Sequence, residues 1–142
     1  MSAFCLHLAF MEEIANQVVE ASRIASPGFT WGKSGNITGV TYLWNDTVAS
    51  DKVGRIVPLI DAGVTNIVVA NENANTFTVE VLKRLGPGSF AILDTVVLTA
   101  ERTKTQIVTN APLALGDELA VRISTGAAKN PVVAVIIKGK TS

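Results

Sequence analysis

Apolar and polar residues alternate most plainly toward the end of the chain. In Glu118-Leu119-Ala120-Val121-Arg122-Ile123-Ser124, Leu119, Val121 and Ile123 fall on one face while Glu118, Arg122 and Ser124 fall on the other, the two-residue period of a half-buried strand. Thr125 to Asn130 supply a turn. Pro131 to Gly139 then form a nearly unbroken apolar run, with Pro at the first position, where a missing N–H costs the ladder least. Such a run is expected to be buried on both faces. Thr76-Phe77-Thr78-Val79-Glu80-Val81 alternates as cleanly, which points Phe77, Val79 and Val81 to the core and Thr78 and Glu80 to solvent. The residues before it, Asn71 to Asn75, read as a polar loop whose Asn residues tolerate left-handed backbone.

Gly, Asn, Asp and Pro clusters recur every eight to twelve residues or so after Gly28, and they bound further strands. The candidates are Phe29 to Lys33, Val40 to Trp44, Arg55 to Leu59, Asn66 to Ala70, Thr76 to Lys83, Phe90 to Leu98, Gln106 to Val108, Leu119 to Ser124 and Val132 to Lys138. Only the region from Glu12 to Ala25 has helical spacing. There Met11, Ile14, Val18, Ala21 and Ala25 recur on one face, Glu12 and Glu13 suit the positive end of the helix dipole, and Pro27-Gly28 stops the run. The pattern predicts an all-β protein, an antiparallel β-sandwich of jelly-roll type with about eight strands, preceded by one amphipathic helix or arm. A closed barrel competes, and strand count does not separate the two. Residues 1–27 form the arm and residues 28–142 the sandwich domain.

Composition narrows the class of function. With 142 residues the chain suits one domain, and 48% apolar against 17% charged residues leaves apolar surface for a partner. Twelve basic residues balance twelve acidic ones, which argues against a nucleic-acid or anionic-membrane footprint. The run Ala3 to Met11 is too short to span a bilayer and lacks the charge that precedes a signal sequence, so no membrane segment is expected. An alternative start at Met11 would make the first ten residues an extension. One Cys, Cys5, excludes an intrachain disulfide, and one His, His7, excludes a multi-His metal site.

No catalytic constellation emerges, so an enzyme, a cofactor and a metal site are not expected. Gly32-Lys33-Ser34 resembles the end of a phosphate loop, yet Pro27 stands where its first glycine belongs and no helix context follows. Asp46, Asp51 and Asp61 lack the dense spacing of a calcium loop, and adjacent Asp117 and Glu118 point to opposite faces of a strand. Asn36-Ile37-Thr38 and Asn45-Asp46-Thr47 are chance matches to the glycosylation pattern. Trp31, Tyr42 and Trp44 lie close in sequence, with Tyr42 and Trp44 on the same side of one strand. They serve either as core or subunit contacts, the favoured reading, or as a platform for sugar rings.

Leu113 to Ser124 and Lys129 to Gly139, taken with Val57-Pro58-Leu59, Ile67 to Glu72 and Thr76 to Val81, resemble small β-sandwich proteins of tailed bacteriophages. The resemblance covers Gly28 to Gly139. It is to jelly-roll capsid decoration, or cement, proteins, and more loosely to head-fibre and fibre-tip domains. It implies a structural virion protein, made in the host cytoplasm, that sits on the capsid outer surface and cements neighbouring capsomers of the major capsid protein. It also implies self-association as a dimer or trimer, without nucleic acid or membrane. Candidate capsid or subunit contacts are Phe4, Leu8, Phe10, Met11, Ile14, Val18, Trp31 and Trp44. The alternative is a receptor- or glycan-binding head-fibre or fibre-tip module.

Overall fold

The computed structural model describes residues 23–141. All of its elements are strands: β1 (Ile24–Ala25), β2 (Gly28–Gly32), β3 (Asn36–Thr38), β4 (Thr41–Tyr42), β5 (Trp44–Asn45), β6 (Val48–Ala49), β7 (Arg55–Ile56), β8 (Ile60–Gly86), β9 (Ser89–Ile107), β10 (Pro112–Leu113), β11 (Glu118–Lys129) and β12 (Val132–Lys140). Of the helix expected from Glu12 to Ala25, the part up to residue 22 lies outside the described residues. Its last two residues are strand instead: Ile24 and Ala25 pair with Lys140 and Gly139, and Thr141 N–H donates to Arg23 C=O at 2.9 Å.

The architecture is an antiparallel sheet curled around one core, and the 27-residue β8 is its hub. On one side β9 follows β8 along both of its halves. On the other side, β12 pairs with the first half between Ile60 and Ala70, and β11 pairs with the second between Phe77 and Lys83. The first half continues outward from β12 through β2 and β5 to β6, and the second from β11 to the short β4 and β7.

This plan merges strands that the sequence separates. Asn66 to Ala70 and Thr76 to Lys83 are one strand, because the Asn71–Asn75 segment is a bend within β8 rather than a loop between strands. The β8–β9 register jumps there, from Ala70↔Thr103 to Asn75↔Glu101 and then Phe77↔Leu98. Phe90 to Leu98 and Gln106 to Val108 likewise belong largely to one strand, β9, which turns at Ala100 with φ of 51°. The count of about eight strands is therefore not what the fold shows. The expected turn from Thr125 to Asn130 is also strand: β11 bulges after Ile123, passes Gly126 at φ of 90°, and pairs with β3 through Lys129. A side chain at Gly126 would collide with the backbone of Thr76 and Phe77, so glycine is required for both its φ and this close approach.

Alternation predicts the core well. Phe77, Val79, Val81, Leu119, Val121 and Ile123 are buried together with Val133, Val135 and Ile137 from the other half of the curl. In β8 the buried positions change parity, from Ala62 and Val64 to Ile67 and Val69, while β12 keeps one parity throughout. The cause is a bulge: Val64 pairs with Ile137 and Asn66 with Ile136, leaving Thr65 as the extra residue. Its hydroxyl donates to Ile136 C=O at 3.2 Å.

Two expectations about facing are corrected. Glu80 is buried, because Arg122 on the neighbouring strand holds it, and does not point freely into solvent. The apolar run of β12 is buried on one face only; Val132 on the other face is 45% exposed.

Candidate functional site

The two halves of the curled sheet differ in the charged residues on their outer faces. On the second half, Thr95, Glu80, Arg122 and Tyr42 are cross-strand neighbours in one row. Arg122 Nε lies 2.7 Å from Glu80 Oε1, and its Nη1 donates to the Tyr42 hydroxyl at 3.0 Å. Tyr42 and Phe90 pack with ring centroids 5.6 Å apart, and the Arg84 guanidinium lies 5.0 Å from the Phe90 centroid. Arg84 Nε is in turn 3.1 Å from Glu118 Oε2, while Glu118 Oε1 accepts from Gly54 N–H at 2.6 Å. Beneath this layer Leu82 and Ala120, which stand outside the main core, are almost wholly buried. The chain thus covers part of this face with its own aromatic and ionic side chains, while Ile92 and Val97 on it stay 52% and 47% exposed and the buried Arg84 Nε has no hydrogen-bond partner. The hydrogen bond to Glu80 raises the Arg122 pKa further above its ordinary value.

The outer face of the first half has no such cover. Its upper row runs across the sheet as Thr103, Ala70, Val132, Gly32, Trp44 and Ala49. The middle row is Thr105, Val68, Ala134 and Thr30, and the lower is Ile107, Asn66, Ile136 and Gly28. None of these residues carries a charge. Ile107 is 76% exposed and Trp44 40%, so with Val132 three large apolar side chains stand in solvent here. Charges appear at the margins: Lys138 follows the lower row on β12, while Lys33 and Asp46 flank the Trp44 corner. The face is thus uncharged and mixed apolar and small polar, with its most exposed large side chain, Ile107, at one corner and Trp44 at the other.

At that corner an open cleft of about 490 Å³ is lined by Thr30, Trp31, Gly32, Lys33, Ser34, Trp44, Asp46 and Val132. Gly32 is directly opposite Trp44 and has no side chain to lay over the indole, so Trp44 stays exposed. Asp46, in the β5–β6 turn, is held by Arg55 at 3.1 Å. The Asn45 amide fixes the same turn by donating to Val53 C=O at 2.6 Å.

The two tryptophans therefore part company. Trp31 is 1% exposed and belongs to the core, with its indole N–H lacking a hydrogen-bond partner in the protein, whereas Trp44 is at the surface. Tyr42 and Trp44 do not share a strand face, because the chain crosses between the two halves at buried Leu43: Tyr42 joins β11 and Trp44 joins β2. Phe4, Leu8, Phe10, Met11, Ile14 and Val18 lie outside the described residues, as does His7.

Asp46, Asp51 and Asp61 are not brought together into a metal-holding group among the described residues. Asp61 is 3.9 Å from Lys140, and Asp117 is 3.9 Å from Lys83. Lys33 and Ser34 follow the end of β2 in a turn to β3, with no helix for a phosphate. The uncharged face itself was hidden in the sequence. Only the strand pairing reveals that bare positions on β9, β8, β12, β2 and β5 share one surface.

No protein-family model matches the chain, and no curated protein matches it. Among solved structures it is similar to a chain of the cyanophage Pam1 capsid asymmetric unit, at 14% identity over 81% of this chain and 83% of that one, with a TM-score of 0.45. It is also similar to a chain of the Bacillus endospore appendages, described as disulfide-linked pili, at 9% identity over 84% and 88%, with a TM-score of 0.44. A third is the C-terminal CBM6 of LamC, a laminarinase from Zobellia galactanivorans, at 12% identity over 80% and 93%, with a TM-score of 0.38. Likeness at this level assigns no family and no role.

Proposed function

We propose that the chain is a structural virion protein of jelly-roll type that decorates the outer surface of a tailed-phage capsid and cements neighbouring capsomers of its major capsid protein. The observation that carries this reading is the contrast between the two outer faces, one holding a network of the chain's own ionic and aromatic side chains and the other without charge. A protein built in this way works by covering surface, not by transforming a substrate. The resemblance of Gly28 to Gly139 to capsid decoration proteins supplies the partner. Burial at roughly 25 cal/mol per Å² of apolar surface supplies the driving force. Repetition around an icosahedral shell multiplies contacts that are individually modest.

In this account residues 1–22 hold a neighbouring subunit or the shell, starting from the sheet end where Arg23 meets Thr141. The test is co-sedimentation of the full chain with expanded shells of the encoding phage. Saturable pelleting is expected, with loss of pelleting when residues 1–22 are removed. A full chain that stays in the supernatant at every concentration contradicts the reading.

A second reading, a glycan-binding fibre-tip module, is favoured by one observation, the exposed Trp44 beside the polar groups of Lys33, Ser34 and Asp46. Under it, Trp44→Ala abolishes retention on immobilised host-surface polysaccharide without lowering the melting temperature. Under the cement reading the full chain is not retained at all.

A further inference from the structure

We infer that β9 carries a built-in guard against strand addition: Gln106 and Lys104, reaching across the open side of the curl, and Glu101 beside the bend occupy the strand's free edge at residues 95–99.

The need for a guard follows from the topology. Among the described residues β9 runs for 19 residues and pairs with β8 alone, so no strand lies along its other edge. The remaining strands with one partner, β1, β3, β4, β6, β7 and β10, are two or three residues long. A long free edge offers its backbone donors and acceptors to any extended chain that meets it.

In an antiparallel ladder a residue turns its N–H and C=O to the same side, and alternate residues turn to opposite sides. Thr95, Val97 and Thr99 face the free edge, as their contacts show. Gln106 Nε2 donates to Thr95 C=O at 2.9 Å, Lys104 Nζ donates to Val97 C=O at 2.6 Å, and Thr99 N–H donates to Glu101 Oε1 at 3.0 Å. A second bond, to Asp94 Oδ2 at 2.8 Å, holds the Gln106 amide in place. Lys104 and Gln106 stand opposite the buried Val69 and Ile67, so they point inward from the first half of the curl, whereas Thr95 and Val97 belong to the second. The bend at Ala100 lets one half of the strand cap the other. A strand adding at residues 95–99 would find both carbonyls filled, and it would have to strip the inward-pointing Lys104 ammonium of its partner. Association, on a shell or elsewhere, is thereby left to side-chain surfaces, a consequence that does not depend on the cement reading.

The experiment compares the full chain with Lys104→Thr/Gln106→Thr, which shortens both straps to a residue that favours strands. Sedimentation velocity and thioflavin T fluorescence are followed at neutral pH, well below the melting temperature. The double variant should gain mass and fluorescence at concentrations at least tenfold lower than the wild type. Loss of Lys104 moves the chain off its balance of twelve basic and twelve acidic residues, a change that by itself favours solubility. Val97→Pro placed in the double variant removes an outward N–H that the ladder does not use and should restore wild-type behaviour. Should that proline unfold the chain, Val97→Lys supplies an edge charge to the same end. Ser50→Ala, which lowers stability away from this edge, should show no gain. A double variant that behaves like the wild type, or one that neither Val97 change restores, overturns the inference. So does a Ser50→Ala protein of equal melting temperature that associates as readily.

Discussion

Asn71 Oδ1 accepts a hydrogen bond from the Lys129 backbone N–H at 2.7 Å, across 58 residues of chain. The same amide donates to Asn73 C=O at 2.6 Å and to Asn75 Oδ1 at 2.8 Å. One buried side chain thus closes the bend of β8 and ties it to the end of β11, and only a carboxamide offers both donor and acceptor at that size. Asn71→Ala leaves the Lys129 N–H without its partner. It should cost about 1–3 kcal/mol in urea unfolding. Asn71→Asp keeps the acceptor but loses the donors, so it should not restore wild-type stability.

Ser50 replaces a strand where none fits. Its hydroxyl donates to Val121 C=O at 3.0 Å and lies 3.3 Å from Val121 N, while its own N–H donates to Leu43 C=O at 2.9 Å. The residue is fully buried, so no water can substitute. Ser50→Ala should therefore destabilise by roughly 1–3 kcal/mol. Ser50→Thr must find room for a methyl group and is expected to destabilise as well. Calorimetric melting of both variants checks this.

The Glu80–Arg122 pair on the outer face of the second half is expected to be costlier to halve than to remove. Glu80→Ala leaves a partly buried guanidinium facing Tyr42 alone, and Arg122→Leu leaves a buried carboxylate, each costing on the order of 2–4 kcal/mol. The double variant Glu80→Leu/Arg122→Leu should lose less than the sum. A double-mutant cycle showing simple additivity would mean that the two residues are not coupled.

Glu72 provides a pH signature. The hydrogen bond and charge of Lys129, whose Nζ is 3.0 Å from Glu72 Oε2, hold its carboxyl below the usual range. The folded value is depressed, so the stability that the pair contributes is present above the ordinary carboxylate range and is lost as pH falls through the folded value. Glu72→Gln should lower stability slightly at neutral pH and leave it nearly unchanged below the folded value, so that the acidic limb of the stability curve flattens. The pair is exposed, and added salt should shrink the effect.

What the sequence made legible was alternation. The faces of β11 and of the second half of β8 follow directly from it, because side chains in a strand change sides at every residue whatever the strand's partners. Strand length was not legible. Asn71 to Asn75 has the composition of a loop, and the tertiary hydrogen bond from Lys129 makes it a bend; Gly126 looks like a turn, and close approach to Phe77 makes it part of a strand. The difference between Trp31 and Trp44 was equally out of reach. It depends on Gly32 facing Trp44, a matter of register between β2 and β5 rather than of either residue's type. The bare face escaped for the same reason, since its members come from strands far apart in the chain.

The cement role is tested most directly by the temperature at which heads lacking this protein release their DNA, measured as the full chain is added back. A partner that binds only the assembled shell must stabilise it by an amount that grows with concentration relative to its dissociation constant. The release temperature should therefore rise with added protein and level off once the shell is saturated. Saturable binding with an unchanged release temperature would contradict the cement role, leaving a protein that coats the shell without holding it together.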